Sequence, residues 1–425
     1  MMAQKARDVF ISEINGLHTA PDAVRFKCLE PLNAQELYYL SVLGEDEIYT
    51  SSYTRGVFPK IFERMTVPRA DSLIMSVNGD YFRKFIKMAA AYNTLDMVLK
   101  SMPPESSASL MKAFMIGLEK TTTADNIEDA VDVADSYSSI FEKNKALAKF
   151  MLNEARWNYE RCEKNGDKNG KVIYHLEKAL FESADTTRNT DLSKELGIPP
   201  IYSVDYNSLR DDSGRVVQQL FFYGDEDMDG QYSFANFMAM FRGKAEWRIT
   251  ENSDWVTIKS TKGKPVWIFA NKPLLGDDDP DAAAQQKLGK YLESQHIRPT
   301  VFIHRGHSYH VKYSLAQVQP SARIVILGSC GGYNNMNDVL TISPDAHIIS
   351  SKQVGTKTVN EPILQAINDD LRSGRDIDWI PMWRELGREF KGSSKELFDD
   401  YVPPYKNLGV IFIKAYRKAM GNSGE

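Results

Sequence analysis

The hydrophobic rhythm of the chain changes part-way along. In the first half, apolar residues recur at helical spacing: Leu110, Met111, Phe114, Met115 and Leu118 share one face. From about Ser139 to Glu163, Ala146, Phe150 and Trp157 fall on one side with Lys and Glu around them, which predicts another long helix. No unit repeats at the roughly 20–50-residue period of a named helical repeat, so the pattern predicts an irregular, solenoid-like helical array. It stops at Leu196-Gly197-Ile198-Pro199-Pro200, where a glycine followed by paired prolines ends a helix and favours an extended linker. A domain boundary is therefore expected between Gly197 and Asp212.

Beyond that point short β-branched and aromatic runs alternate with helical segments. Strands are predicted at Val216–Tyr223, Trp255–Ser260, Pro265–Ala270, Thr300–His304, Arg323–Leu327, Ala346–Ser350 and Leu408–Ile413. Helices are predicted at Ser233–Phe241, Asp281–Gln295, Asn337–Leu340 and Glu361–Arg372. Such alternation implies a mostly parallel sheet covered on both faces by helices. The expected organisation is an all-α domain over residues 1–200 followed by an α/β domain over residues 201–425.

The 425 residues are too many for one ordinary core, in keeping with two domains. Lys and Arg total 52 against 57 Asp and Glu, a formal charge of −5, which gives no general reason to expect nucleic acid or an anionic membrane as partner. The longest apolar runs, such as Ile324–Leu327 and Val410–Ile413, fall far short of the roughly 20 residues that cross a bilayer. The first residues lack the apolar stretch of a secretory signal. Three cysteines, Cys28, Cys162 and Cys330, cannot build a disulfide framework, so a cytoplasmic address is expected.

In a parallel sheet, chemistry collects at the carboxyl ends of the strands. Two ends carry suitable residues. Thr300–Ile303 runs into His304-Arg305-Gly306-His307-Ser308, and Arg323–Leu327 runs into Gly328-Ser329-Cys330-Gly331-Gly332. If these strands are neighbours, a histidine and a cysteine emerge at one edge. A thiol with an ordinary pKa near about 8.5 is mostly protonated at neutral pH, and an adjacent imidazole can take its proton. Glycines around Cys330 permit a sharp turn and leave backbone N–H groups for an oxyanion.

This segment resembles the caspase-like cysteine peptidases, a group that includes caspases, gingipains, clostripain, separases and the CHAT-domain peptidases. Their pattern is a hydrophobic strand ending in a Gly-His pair, followed by a hydrophobic strand ending in the catalytic Cys. The 23 residues from His307 to Cys330 are fewer than the approximately 50 of caspases themselves and are closest to the separase and CHAT branch. The resemblance covers about Val216 to Tyr416. It implies a caspase-like sheet sandwiched by helices, with Cys330 as nucleophile and His307 as base, and the backbone N–H groups of Ser308 and Cys330 as oxyanion donors. The implied activity is endopeptidase cleavage of a protein or peptide substrate without a cofactor. Ser308 stands where the family has Gly, which matters if that position needs a positive φ. His304 competes with His307 for the base role.

Other arrangements are written into the same stretch. Gly328–Gly332 also spells G-x-C-x-G, the turn of a nucleophile elbow in a hydrolase or amidotransferase, whose histidine follows the nucleophile. Only His347 follows, at the start of its strand, and a five-residue strand separates its ends by roughly 16 Å. His304, His307 and His310 form H-x-x-H-x-x-H, a pattern that invites zinc. Asp225, Asp227, Asp229 and Gly230 imitate half of an EF-hand loop, but Asn236 replaces its bidentate Glu, so an acidic helix cap is the plainer reading. Asp225 ends a strand on the presumed active edge and is expected to line a pocket for a basic P1 side chain. Asp277–Asp281 reads as the cap of the next helix. A different class of function is an inactive caspase-like domain carried by a helical scaffold that binds a protein partner.

Overall fold

The computed structural model describes residues 2–421 apart from 46, 124–125, 186–190 and 277–279; Asp277–Asp279 of the acidic run lie outside the described residues. The protein is mixed α/β, with a helical N-terminal region and a mostly parallel eight-stranded sheet. It divides into two compact units, one formed by Met1–Ile198 with Lys406–Glu425, the other by Pro199–Tyr405. None of its helices, among the described residues, is long and apolar enough to cross a membrane.

In the helical unit the longest elements are α1 (Glu128–Lys143), α2 (Lys145–Lys164) and α3 (Lys168–Ser183). Asn144 interrupts the long helix that the pattern predicted: its side chain accepts from Leu147 N–H and caps α2. The buried face of α2 is Leu147, Ala148, Met151, Ala155, Asn158 and Cys162. The face read from Ala146, Phe150 and Trp157 is the outer one. Trp157 is 51% exposed, with Lys112 and Arg161 over its ring.

The last helix, Leu408–Ala419, belongs to this unit and packs against α1 and α3. Its start, Leu408–Ile413, was expected to be a strand of the second domain. A short apolar run does not by itself distinguish a strand from a buried helix. Here Asn407 accepts from Val410 N–H as an N-cap, and the apolar residues continue through Ala415 and Tyr416. Tyr416 donates to Asn169, and Gly409 N–H to Asp135.

The sheet unit contains β1 (Val216–Phe222), β2 (Trp247–Glu251), β3 (Trp255–Ser260), β4 (Val266–Asn271), β5 (Val301–Arg305), β6 (Ile324–Leu327), β7 (His347–Ser351) and β8 (Tyr401–Val402), in the order β8-β7-β6-β5-β1-β4-β3-β2. The five strands from β7 to β4 are parallel, and the edges are antiparallel. β5 and β6 are direct neighbours, with His304 opposite Leu327, and β1 lies on the other side of β5, with Phe222 opposite Arg305.

Four helices matter for the site: α4 (Asp229–Ala239), α5 (Pro280–Ser294), α6 (Lys357–Ser373) and α7 (Trp379–Glu389). One face of the sheet buries Val216, Leu220, Ile303 and Ile326 in a core with α6 and α7 residues such as Ile363, Ile367 and Trp379. The other face packs Val217 and Phe269 on Leu288 and Leu292 of α5. Both faces are covered, which is why apolar residues stand at successive positions in the central strands, without polar alternation.

Candidate functional site

His307 and Cys330 each stand three residues beyond the paired ends of β5 and β6, His304 and Leu327. Adjacent parallel strands therefore deliver both to one carboxyl edge of the sheet, as the spacing predicted.

After β6 the chain turns through Gly328-Ser329-Cys330, with Gly331 at φ +62°, into a short 3₁₀ turn and the helix Met336–Ile342. The loop is held from two sides. Asn360 of α6 donates to Gly328 O, and Gly331 N–H donates to Gln353 O. Gly355 lies against the Gly328-Ser329 backbone so closely that a Cβ there would sit 2.3 Å from Gly328 O. Cys330 is half-buried. Burial pushes its thiol above the ordinary value, and the carboxylate of Asp229 adds to this, against a lowering from the backbone N–H of Gly355. At neutral pH the sulfur carries its proton.

His304, the competing base, is inside the protein. Its Nδ1 bonds to Ser314 Oγ at 2.7 Å and its Nε2 faces His307 O at 3.3 Å. Burial lowers its pKa to about 3, so it stays neutral and shapes the loop that carries His307.

His307 reaches outward to two carboxylates that follow β1. Its Nε2 lies 2.8 Å from Asp227 Oδ2 and 4.0 Å from Asp225 Oδ2, and its ring stacks on Tyr309. Sequence reading placed Asp227 in an incidental acidic cluster and missed this contact, since the two residues are 80 positions apart and only the β1–β5 pairing joins them.

Asp225, expected to line a P1 pocket, is tied to the histidine loop through one of its two carboxylate oxygens. Its Oδ1 accepts from His310 Nε2 at 2.9 Å and from Tyr309 Oη at 3.0 Å. Burial pushes its carboxyl up, but the hydrogen bond and charge of His310 outweigh that and hold it below the ordinary value. His310 is in turn stacked on Tyr223, ring centroids 4.3 Å apart.

The H-x-x-H-x-x-H histidines do not converge: they point at Ser314, Asp227 and Asp225 respectively. The EF-hand-like run forms no loop of that kind, because α4 begins at Asp229. Asp281, expected as a helix cap, clamps two loops at this edge: it accepts from Gly224 N–H at 2.6 Å and from Leu274 N–H at 2.8 Å. His347 begins β7 at the opposite edge, where its Nδ1 accepts from Trp379 Nε1–H, so it cannot serve an elbow at Cys330.

Ser308 opens a 3₁₀ turn and is not among the residues with positive φ, so serine carries no backbone penalty there. Among the described residues, the amide N–H groups of Ser308 and Cys330 have no backbone acceptor. Arg305, the last residue of β5, faces the opposite side of the sheet from His304. Its buried guanidinium pairs with Glu361 of α6 at 3.0 Å.

Comparison with known proteins returned nothing: no family model, no curated protein and no solved structure matches this chain.

Proposed function

We propose that the sheet unit is a caspase-like cysteine endopeptidase in which Cys330 is the nucleophile and His307 the base. The observation that carries this reading is the register of β5 and β6, which brings a glycine-flanked thiol and an imidazole to the same sheet edge. His307 Nε2 is hydrogen-bonded to Asp227, which in this reading is the positioning carboxylate, and the other ring nitrogen, Nδ1, is assigned to move the proton.

Because burial keeps the thiol protonated, the base must act during attack. Sγ of Cys330 forms a bond to the scissile carbonyl carbon while its proton passes to His307. The N–H groups of Ser308 and Cys330 receive the oxyanion. His307 then gives the proton to the leaving amine as the C–N bond breaks, and water hydrolyses the thioester and restores the thiol. The carboxylates of Asp225, Asp227 and Asp229 make the edge negative, which supports a basic P1 side chain, with Asp225 its proposed contact.

Peptidyl acyloxymethyl ketones with Arg, Lys or Asp at P1 test this. Expected is stoichiometric labelling of Cys330 by the basic probes, lost in His307→Ala and retained in His304→Ala variants that keep the fold. No labelling by any of the three would favour the inactive scaffold, with the helical unit binding a protein partner.

A further inference from the structure

Asp225, Asp227 and His307 present one ligand atom each, all within 4.8 Å of one another. What distinguishes them from a chance cluster is how the carboxylates are held. Asp225 Oδ1 is fixed by Tyr309 and His310, and Asp227 Oδ1 by the backbone N–H of Asp229 at 3.0 Å. In both residues the other oxygen, Oδ2, is thereby aimed at His307 Nε2. Asp225 Oδ2 is buried and has no hydrogen-bond donor. A buried carboxylate oxygen without a donor is costly and needs an explanation, and an ion is one.

The charge and distances fit a small divalent cation. Two carboxylates and a neutral imidazole offer a net −2. In a tetrahedral zinc site with bonds of about 2.0–2.2 Å, neighbouring ligand atoms lie about 3.3 Å apart. The observed 2.8 and 4.0 Å bracket that value, so to close the site His307 Nε2 draws away from Asp227 by about 0.5 Å and Asp225 approaches by about 0.7 Å. Tyr309 and His310 supply the outer hydrogen bonds that orient metal-bound carboxylates.

We propose that Asp225, Asp227 and His307 form a divalent transition-metal site, for which zinc is the fitting ion, and that occupancy switches the peptidase off. An ion on Nε2 takes the place of the Asp227 hydrogen bond and leaves the imidazole unable to hold a second proton, so it cannot accept one from Cys330. The binding half stands on geometry alone; the inhibitory half rests on the peptidase reading.

The test is titration of chelator-stripped full-length protein with Zn²⁺ against a chromophoric chelator, with Co²⁺ visible absorption reporting ligand geometry. Expected is one ion per chain. Tyr309→Phe should weaken binding by the roughly 10- to 100-fold that an outer hydrogen-bond partner contributes, and Asp225→Asn by more. Cys330→Ala should bind with unchanged affinity, and peptide labelling of wild type should fall in step with occupancy. Tyr309→Phe keeps the test decisive if Asp225→Asn does not fold.

Absence of stoichiometric binding overturns the proposal. So does binding lost in Cys330→Ala, or in Cys162→Ser, whose thiol sits with Glu119 and Asp167 in the helical unit. Zinc bound with full labelling retained overturns the switch. Zinc bound to a protein that never labels leaves the site standing and sinks the peptidase instead.

Discussion

Gly355 offers a clean probe of the Cys330 loop, because its φ is not positive and alanine can adopt its backbone; the effect of Gly355→Ala is steric. The new Cβ would meet Gly328 O at 2.3 Å, Ser329 C at 2.5 Å and Ser329 Cα at 2.7 Å. All three are backbone atoms, which cannot rotate away as a side chain would. Contacts below 3.0 Å are essentially never seen, so the two segments must separate by at least about 0.7 Å. That lengthens the hydrogen bond that the Gly355 N–H donates to the Cys330 sulfur, which opposes the effect of burial on the thiol, and so lowers the thiolate fraction further.

Misplacing a reacting group by about 1 Å can cost on the order of 10²-fold in rate, and overpacking costs about 1–3 kcal/mol of stability. The assay is the second-order rate of Cys330 alkylation, read peptide by peptide in a mass spectrometer. Burial pushes the Cys28 and Cys162 thiols up to about 11, which makes them slow internal references. Gly355→Ala should slow Cys330 roughly tenfold to a hundredfold while urea unfolding shows the protein still folded. Val354→Ala, at a 46% exposed neighbour, should change neither. An unchanged Cys330 rate in a folded Gly355→Ala protein refutes the claim that this contact sets the position of the thiol.

Two further outcomes follow from the same structure. Asp227→Asn should lower the peptidyl labelling rate by on the order of 10²- to 10⁴-fold through loss of the imidazole's carboxylate partner, with partial recovery in Asp227→Glu. Glu177 of α3 is fully buried with both oxygens unpartnered, so burial, then the charge of Asp135, raises its pKa well above the ordinary value and it folds protonated. Its stabilisation is intact below the unfolded pKa of about 4.3 and is lost as pH rises toward the folded value, so Glu177→Gln should gain on wild type by about 1.4 kcal/mol per pH unit there, read by denaturant-dependent hydrogen exchange in residues 128–183; a pH-independent difference refutes the assignment.

Elements dense in β-branched and aromatic residues were legible in the sequence, because a strand covered on both faces has apolar residues at successive positions: β6 is wholly apolar, and β1, β4, β5 and β7 each carry a run of two or more such residues. The edges did not read. Trp247–Glu251 mixes Arg, Thr and Glu with its apolar residues because most of the strand is not buried, and Tyr401–Val402 is only two residues long. At the site, the residues close in sequence to a strand end were found, since the period of the strand predicts where it stops. Asp227 and Gly355 were not, because their partners depend on which strands are neighbours, and that is decided by the whole sheet.

Those missed residues also show why the two proposals share one cause. In the proposed peptidase, a thiol whose pKa is raised by burial passes its proton to His307 during attack, and the edge must accept the resulting positive charge. Asp227 does so at 2.8 Å. Any arrangement that stabilises an imidazolium between carboxylates also favours an external cation in the same place, so sensitivity to a metal accompanies the catalytic arrangement. The two can still be separated, because Asp225 does not bond to His307: its Oδ2 lies 4.0 Å away and its other oxygen serves Tyr309 and His310. Proton transfer needs a carboxylate touching the imidazole, which Asp227 provides alone. A cation needs both. Asp225 is thus the residue at which metal affinity falls more steeply than proton transfer, and equal losses of the two in Asp225→Asn would show that it supports the loop and nothing more.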